Sequence, residues 1–292
     1  MPRSSLLIVG CGDVGLRVLR CLNPNWRVLA LTSSPQRLPL LRAAGATPLL
    51  GDLDQPASLS RLAGLADRVL ILSPPQPQGA QDQRTRHVLA ALARRSAPRH
   101  IVYASTSGVY GDAGGELVDE CRSVAPLTDR ARRRVDAERQ LRQFGRQHGT
   151  CISLLRVPGI YAWNRPGGHP RERLARGTPV LNREDDVFTN HIHADDLARA
   201  CVLALMRGLP QRAVNVCDDT DMRMGDYFDL AADLCGQARP PRISRLQAQS
   251  SLSDVQLSFM SESRRLSNHR LKAELGLRLR YPYVSEGLLA GR

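Results

Sequence analysis

Short runs of valine, isoleucine and leucine alternate along the chain with longer segments whose apolar residues return every three or four positions. The runs at 6–9, 27–31, 47–50, 68–72, 100–104 and 152–155 predict strands. The segments at 14–22, 37–44, 57–65, 83–95 and 129–147 predict the helices between them. Alternation on this scale implies parallel strands joined by right-handed crossovers, an α/β doubly wound sheet with helices on both faces. Strands covered on both sides should be apolar without interruption, as Leu6-Leu7-Ile8-Val9 and Val69-Leu70-Ile71-Leu72 are. Beyond residue 157 the pattern loosens. Pro158, Pro166, Gly167, Gly168, Pro170 and Pro179 break a loop-rich stretch, followed by a helix at 194–206, a strand at 213–216 and a helix at 224–235. The expected organisation is an α/β domain over 1–157 and a smaller region over 158–292 that covers it, with 194–236 returning to the first domain.

The first predicted strand runs into Gly10-Cys11-Gly12-Asp13-Val14-Gly15, which opens a helix. In a strand–turn–helix of this kind the first glycine permits the tight turn and the second lets backbone approach a pyrophosphate. The third lets helix and strand come close, while the helix N-terminus favours negative charge. Gly10, Gly12 and Gly15, with Asp13 and Val14 between them, are therefore expected to seat a dinucleotide in a Rossmann domain. A carboxylate at the end of the second strand would select NAD by holding its ribose hydroxyls. Here that position reads Thr32-Ser33-Ser34-Pro35-Gln36-Arg37. Small hydroxyls and a guanidinium suit a 2′-phosphate, so NADP is expected over NAD; the alternative is that Arg37 is a solvated residue in a helical turn. Asp52 and Leu53, after the third strand, are candidates for the adenine contact, or Asp52 caps the next helix.

Tyr103-Ala104-Ser105-Thr106-Ser107-Gly108-Val109-Tyr110-Gly111-Asp112 resembles the extended branch of the short-chain dehydrogenase/reductase superfamily, the NAD(P)-dependent epimerases and dehydratases. The resemblance continues through Leu155-Arg156-Val157-Pro158-Gly159-Ile160-Tyr161 and Asn190-His191-Ile192-His193-Ala194-Asp195-Asp196-Leu197-Ala198 and spans about residues 5–217. The segment 261–289 is similar to the YeeZ-like atypical subgroup. The resemblance implies a catalytic Ser or Thr, which Thr106 matches, and a Tyr-x-x-x-Lys pair on the helix at 129–147. That pair is missing. Aligning Glu138 with the family's glutamate puts Arg130 at the tyrosine position and Arg134 at the lysine position. No tyrosine in the chain has a lysine four residues later, because Lys272 is the only lysine.

Arg134 remains suited to the nicotinamide ribose, and Pro158 to the loop beside the nicotinamide. Arginine stays protonated and cannot relay a proton. Tyr161, Asp129 or a histidine of His191-Ile192-His193 could supply an acid or base. Asp82 stands where the family has an active-site asparagine, or it is an N-terminal helix charge. Thr106 with water could polarise a carbonyl, or the protein could bind the cofactor without turnover. Arg156 reads as an internal ion pair, and Asp195 or Asp196 as the cap of the helix at 194–206. The two histidines share a strand face, yet no third ligand is placed for a metal, and none is expected.

Composition adds limits. At 42% hydrophobic and 24% charged residues the chain can build a packed core. The net charge is +13, and every basic residue except Lys272 is arginine. Only Arg130, Arg132, Arg133 and Arg134 form a dense run, so an anionic small molecule is expected as partner rather than nucleic acid. The arginines on the helices at 83–95 and 129–147 leave monomer and homodimer both open. No apolar run reaches the roughly 18 residues of a membrane span. The seven cysteines are scattered without a C-x-x-C pair, so reduced thiols in the cytoplasm are expected.

Overall fold

In a computed structural model, which describes residues 4–292, seven parallel strands form one sheet. They are β1 (Ser5–Val9), β2 (Arg27–Thr32), β3 (Thr47–Leu50), β4 (Arg68–Ile71), β5 (His100–Thr106), β6 (Cys151–Val157) and β7 (Arg212–Asn215), in the order β7-β6-β5-β4-β1-β2-β3. The chain winds outward from β1 to β3, then crosses back to β4 on the other side of β1. Strand order reverses there, and the crevice outside the carboxyl ends of β1 and β4 is where such sheets bind ligands.

Strand residues alternate between two cores although both faces are apolar. Leu6 and Ile8 point into one cluster and Leu7 and Val9 into the other, all fully buried. The first cluster is covered by α1 (Asp13–Cys21), α2 (Leu38–Ala43) and α5 (Ala194–Arg207), the second by α3 (Gln83–Leu92) and α4 (Asp129–His148). Burying each Leu or Ile contributes roughly 1.5–3 kcal/mol, which fixes the register. The crossover expected at 57–65 is a run of 3-10 turns, Pro56–Leu62, rather than an α-helix; Leu59 and Leu62 alone reach the core from it. Thr128 caps α4 by accepting from Ala131 N (3.2 Å), and Gly149 ends it in the left-handed region at φ 64.

A second lobe has its own core, built from Tyr161, Leu174, Val180, Val187, Ala248, Met260 and the apolar face of α6 (Met224–Cys235). α6 thus packs within the lobe instead of on the sheet. Leu271, Leu275 and Leu277, from later in the chain, take the place beside α5. The cap of α5 also differs from expectation. His193 Nδ1 accepts from Asp195 N (3.2 Å), Asp195 pairs with Arg17, and Asp196 pairs with Arg199 at 2.7 Å. No helix among the described residues is long and apolar enough to cross a membrane.

Candidate active site

The turn between β1 and α1 has the geometry its glycines predict. Gly10 sits at φ +83, and a Cβ there would come within 2.7 Å of the Ser73 backbone nitrogen at the end of β4. At Gly15 a Cβ would lie 2.8 Å from Cys11 Sγ, so the packing of α1 against the turn itself favours glycine, while the nearest strand atom, Ile8 Cγ2, is at an ordinary 3.6 Å. A Cβ at Gly12 would meet nothing within 4 Å. Its side faces open space, and as N-cap of α1 it brings no side chain to occupy the first amides. Those amides are left for an anion. Val14 is buried in the core behind the turn. The Asp13 carboxylate is engaged by Arg165 (2.6 Å) and Arg17 (3.2 Å), and Asp13 is not on the wall of the cleft beside the turn. The two guanidiniums neutralise a charge that would repel a pyrophosphate.

The cleft beside this turn has a volume of about 360 Å³ and is walled by Gly10, Gly12, Thr32, Ser33, Arg37, Asp52, Leu53 and Arg84, among others. Arg37, in a 3-10 turn (Pro35–Arg37), reaches back so that Nη2 donates to the Cys11 carbonyl at 2.8 Å. It is therefore an ordered wall of the cleft rather than a solvated helix residue. Ser34 lies off this wall, where its hydroxyl donates to Gln36 (2.8 Å). Asp52 accepts from Asp54 N (2.9 Å) in a local turn while lining the cleft. Arg84 was not legible as a site residue. It comes from α3 and is fixed on the cleft by Asp54 (2.6 Å).

Pro74 borders both this cleft and a cavity of about 810 Å³ between the sheet and the second lobe. Thr106, at the carboxyl end of β5, and Pro158 line it, as expected. The Thr106 hydroxyl accepts from Gly108 N (3.3 Å), which leaves its hydrogen free to donate into the cavity. Arg134 also lines it; its Nη1 donates to Tyr103 Oη (2.8 Å) and the Ala104 carbonyl (2.9 Å). Arg130 stands on the wall as well, stacked over Phe259 at 4.6 Å. The lobe contributes Glu262, Arg264, Arg173, His191 and Tyr227, of which sequence reasoning named only His191. Among the described residues Glu262 is the single carboxylate on the wall, and it pairs with Arg264 at 2.7 Å.

Two catalytic candidates lie elsewhere. Asp82 is a buried N-cap of α3, accepting from Thr85 N (3.0 Å) and Thr85 Oγ1 (2.8 Å), and is not on the cavity wall. Tyr161 is 1% exposed, off the wall, with no hydrogen-bond partner for its hydroxyl; burial holds its phenol protonated, far above the ordinary range. It belongs to a buried polar group behind the cavity, with His193 at 5.3 Å and His191 at 6.3 Å between ring centroids. His191 in turn stacks on Tyr227 at 3.9 Å, and burial lowers its pKa to about 3, so it is neutral.

Asp218 sits in the same group, and burial, opposed by the Thr220 amide, raises its carboxyl to about 8 from 3.8. A folded pKa above the unfolded one means the protonated form is favoured by folding. Its stabilising contribution is complete below about 3.8 and is lost as pH rises toward 8, by an amount on the order of a few kcal/mol. Asp218→Asn, which cannot ionise, should therefore gain stability over the wild type progressively from pH 5 to pH 8 and hold a constant lead above that. Thermal melts of both proteins across that range check it; a gap that does not change with pH contradicts it.

With this geometry in view, comparisons with known proteins become specific. The profile of the NAD dependent epimerase/dehydratase family matches residues 6–217. The chain belongs to that family. A solved structure of a functionally unknown conserved protein from Silicibacter pomeroyi DSS is 31% identical, with 98% of this chain and 96% of that one covered at a TM-score of 0.80. A nucleoside-diphosphate-sugar epimerase from Pseudomonas aeruginosa shares the fold at 19% identity and TM-score 0.80, covering 98% of this chain and 95% of its own. A UDP-glucuronic acid 4-epimerase from Bacillus cereus, solved in complex with NAD, does so at 16% identity and TM-score 0.76, covering 97% and 96%. No curated protein matches the chain. Arg130 and Arg134 both stand on the cavity wall.

Proposed function

We propose that the protein is an NADP(H)-dependent oxidoreductase of the epimerase/dehydratase type. It acts on a small carbonyl, sugar or nucleotide-sugar-like substrate through a site without the Tyr-x-x-x-Lys pair. The observation that carries this reading is that the two spaces adjoin at Pro74, with Gly12 open on one side of it and Thr106 on the other. The names of the solved neighbours, which include NAD-bound and sugar-nucleotide enzymes, support it.

The free amides at Asp13–Gly15 would hold the pyrophosphate of the dinucleotide, since the Gly12 amide donates to the Gly10 carbonyl (2.8 Å), and Arg37, with Ser33 and Thr32 beside it, the 2′-phosphate. Arg134, anchored on β5, would position the nicotinamide ribose, and Pro158 closes the far wall. Bound there, the reduced cofactor supplies a hydride. Thr106 donates a hydrogen bond to the substrate oxygen, which accumulates negative charge as the carbonyl is reduced. The proton that completes the alcohol comes from solvent in the cavity, since Arg130 cannot release one. Asp82 and Tyr161 serve structure in this reading. The seven unpaired cysteines favour a reducing compartment, the cytoplasm.

The test follows NADPH oxidation with a panel of sugar nucleotides and small carbonyls, in parallel with cofactor binding, for the wild type and Arg37→Ala. The wild type is expected to turn over at least one compound. Arg37→Ala should bind NADPH roughly 10- to 100-fold more weakly with NADH affinity unchanged, the effect of one charge-assisted contact. An unchanged NADPH/NADH ratio refutes the role of Arg37. The replaced Tyr and Lys favour a second reading, a cofactor-binding sensor, which predicts tight NADPH binding with no turnover on any compound.

A further inference from the structure

Three guanidiniums rise from one face of α4 into the cavity at positions i, i+3 and i+4: Arg130, Arg133 and Arg134. Among the described residues none of the three lies within 4 Å of a carboxylate, although each acidic residue of their helix is engaged. Asp129 pairs with Arg132 (2.7 Å), Asp136 accepts from Asp82 N (2.7 Å), and Glu138 pairs with Arg156 (2.8 Å). Arg133 is 7% exposed, and its Nε is buried without a hydrogen-bond partner. Its Nη1 is held by the Gly79 carbonyl at 2.5 Å, which fixes the side chain. Arg134 is fixed by the carbonyl of Ala104 and by Tyr103, and Arg130 has only the Phe259 ring beneath it. Glu262, across the cavity, is committed to Arg264.

Like charges three and four residues apart on a helix repel, and the burial of Arg133 and half-burial of Arg134 remove water that would screen them, while Arg130 stays exposed. A solvated arginine face would lie outward, as Arg132 does. These three instead face the cavity, and they stand at the carboxyl end of β5, where Thr106 is. An anion that accepts from several of these donors at once would relieve both the repulsion and the unpartnered Nε.

We propose that Arg130 and Arg133, next to the Arg134 that holds the nicotinamide ribose, form a subsite for an anionic group of the substrate, carried beside the carbon that exchanges hydride. The substrate class is then an acidic hydroxy or oxo compound, such as a sugar with a carboxylate or phosphate on the ring side chain. This rests on the oxidoreductase reading above and adds a specificity determinant to it. In this site the guanidinium at the tyrosine position binds substrate in place of proton transfer.

The test is calorimetric binding, with the cofactor present, of three probes that differ only at the sugar side chain: glucose 1-phosphate, glucuronic acid 1-phosphate and glucose 1,6-bisphosphate. At least one of the two acidic probes should bind about tenfold or more tightly than glucose 1-phosphate, and which one identifies carboxylate or phosphate. In Arg130→Gln and Arg133→Gln that preference should fall to about threefold or less. NADPH affinity in the same samples reports that each variant is folded. Equal affinity for all three probes, or a preference that survives both substitutions, overturns the proposal. Should no hexose phosphate bind, the sugar reading falls, and malonate then tests the subsite alone. Saturable malonate binding that is lost in Arg130→Gln upholds it, and no malonate binding overturns it.

Discussion

Gly12→Val is expected to weaken NADPH binding by at least about 100-fold, equivalent to roughly 2.7 kcal/mol, without unfolding the protein. The two halves of this expectation have separate grounds. A Cβ at Gly12 meets no protein atom within 4 Å, so a side chain there is tolerated by the fold. The space it enters is the side of the turn from which the α1 amides are reached, and a branched side chain in it holds the pyrophosphate away from those donors. Gly10 makes the useful contrast. Substitution there forces a side chain onto the Ser73 backbone at a positive φ, so loss of binding would come with loss of stability. Fluorescence titration of NADPH alongside a thermal melt distinguishes the two. Full affinity in folded Gly12→Val would show that the turn is not the anion seat.

Arg156→Ala is expected to cost about 3–5 kcal/mol of stability, the penalty for leaving a buried charge without its partner. Arg156 and Glu138 are each 5% exposed in their side chains and meet at 2.8 Å. Glu138 Oε1 also accepts from Ser105 (2.6 Å) and Arg156 Nε (3.2 Å), and the guanidinium lies 4.7 Å from the centre of the Tyr110 ring. One carboxylate thereby ties α4 to β5 and β6 one residue short of Thr106. Truncating Arg156 strands that carboxylate among apolar neighbours, and Tm should fall on the order of 10 °C. The double change Arg156→Leu with Glu138→Leu removes both charges and should recover much of the loss. Denaturant titrations of the two variants beside the wild type test this; an Arg156→Ala loss below about 1 kcal/mol would mean the pair is solvated or replaced.

The sheet was legible because its strands are buried on both faces, and uninterrupted runs such as 68–72 have no other use in a chain of this composition. The glycine-rich turn was legible for a similar reason: each of its glycines answers a different local demand, at Gly10 a backbone contact, at Gly15 the packing on Cys11. The crossover at 57–65 misled because its apolar spacing was right while Pro56 and a short span allow only 3-10 turns. Arg84, Tyr227, Glu262 and Arg264 could not be read at all. Arg84 reaches the cleft from α3 and the others reach the cavity from α6 and the later lobe, and no periodicity links positions that meet only through tertiary folding. Asp82 and Tyr161 failed as wall residues for the opposite reason. Motif position placed them near the site, but a capping bond to Thr85 and the core of the second lobe took their side chains. Asp13 shows the intermediate case, a residue in the right turn whose carboxylate is held by Arg165 and Arg17 from the other side.

The central claim is that the turn after β1 seats a nicotinamide dinucleotide. Isothermal titration of the folded full chain with NADPH, and separately with NADH, tests it most directly. Saturable binding of one NADPH per chain, tighter than that of NADH, is the predicted result. No retention of either coenzyme by folded protein would contradict it, and with it the oxidoreductase and sensor readings together.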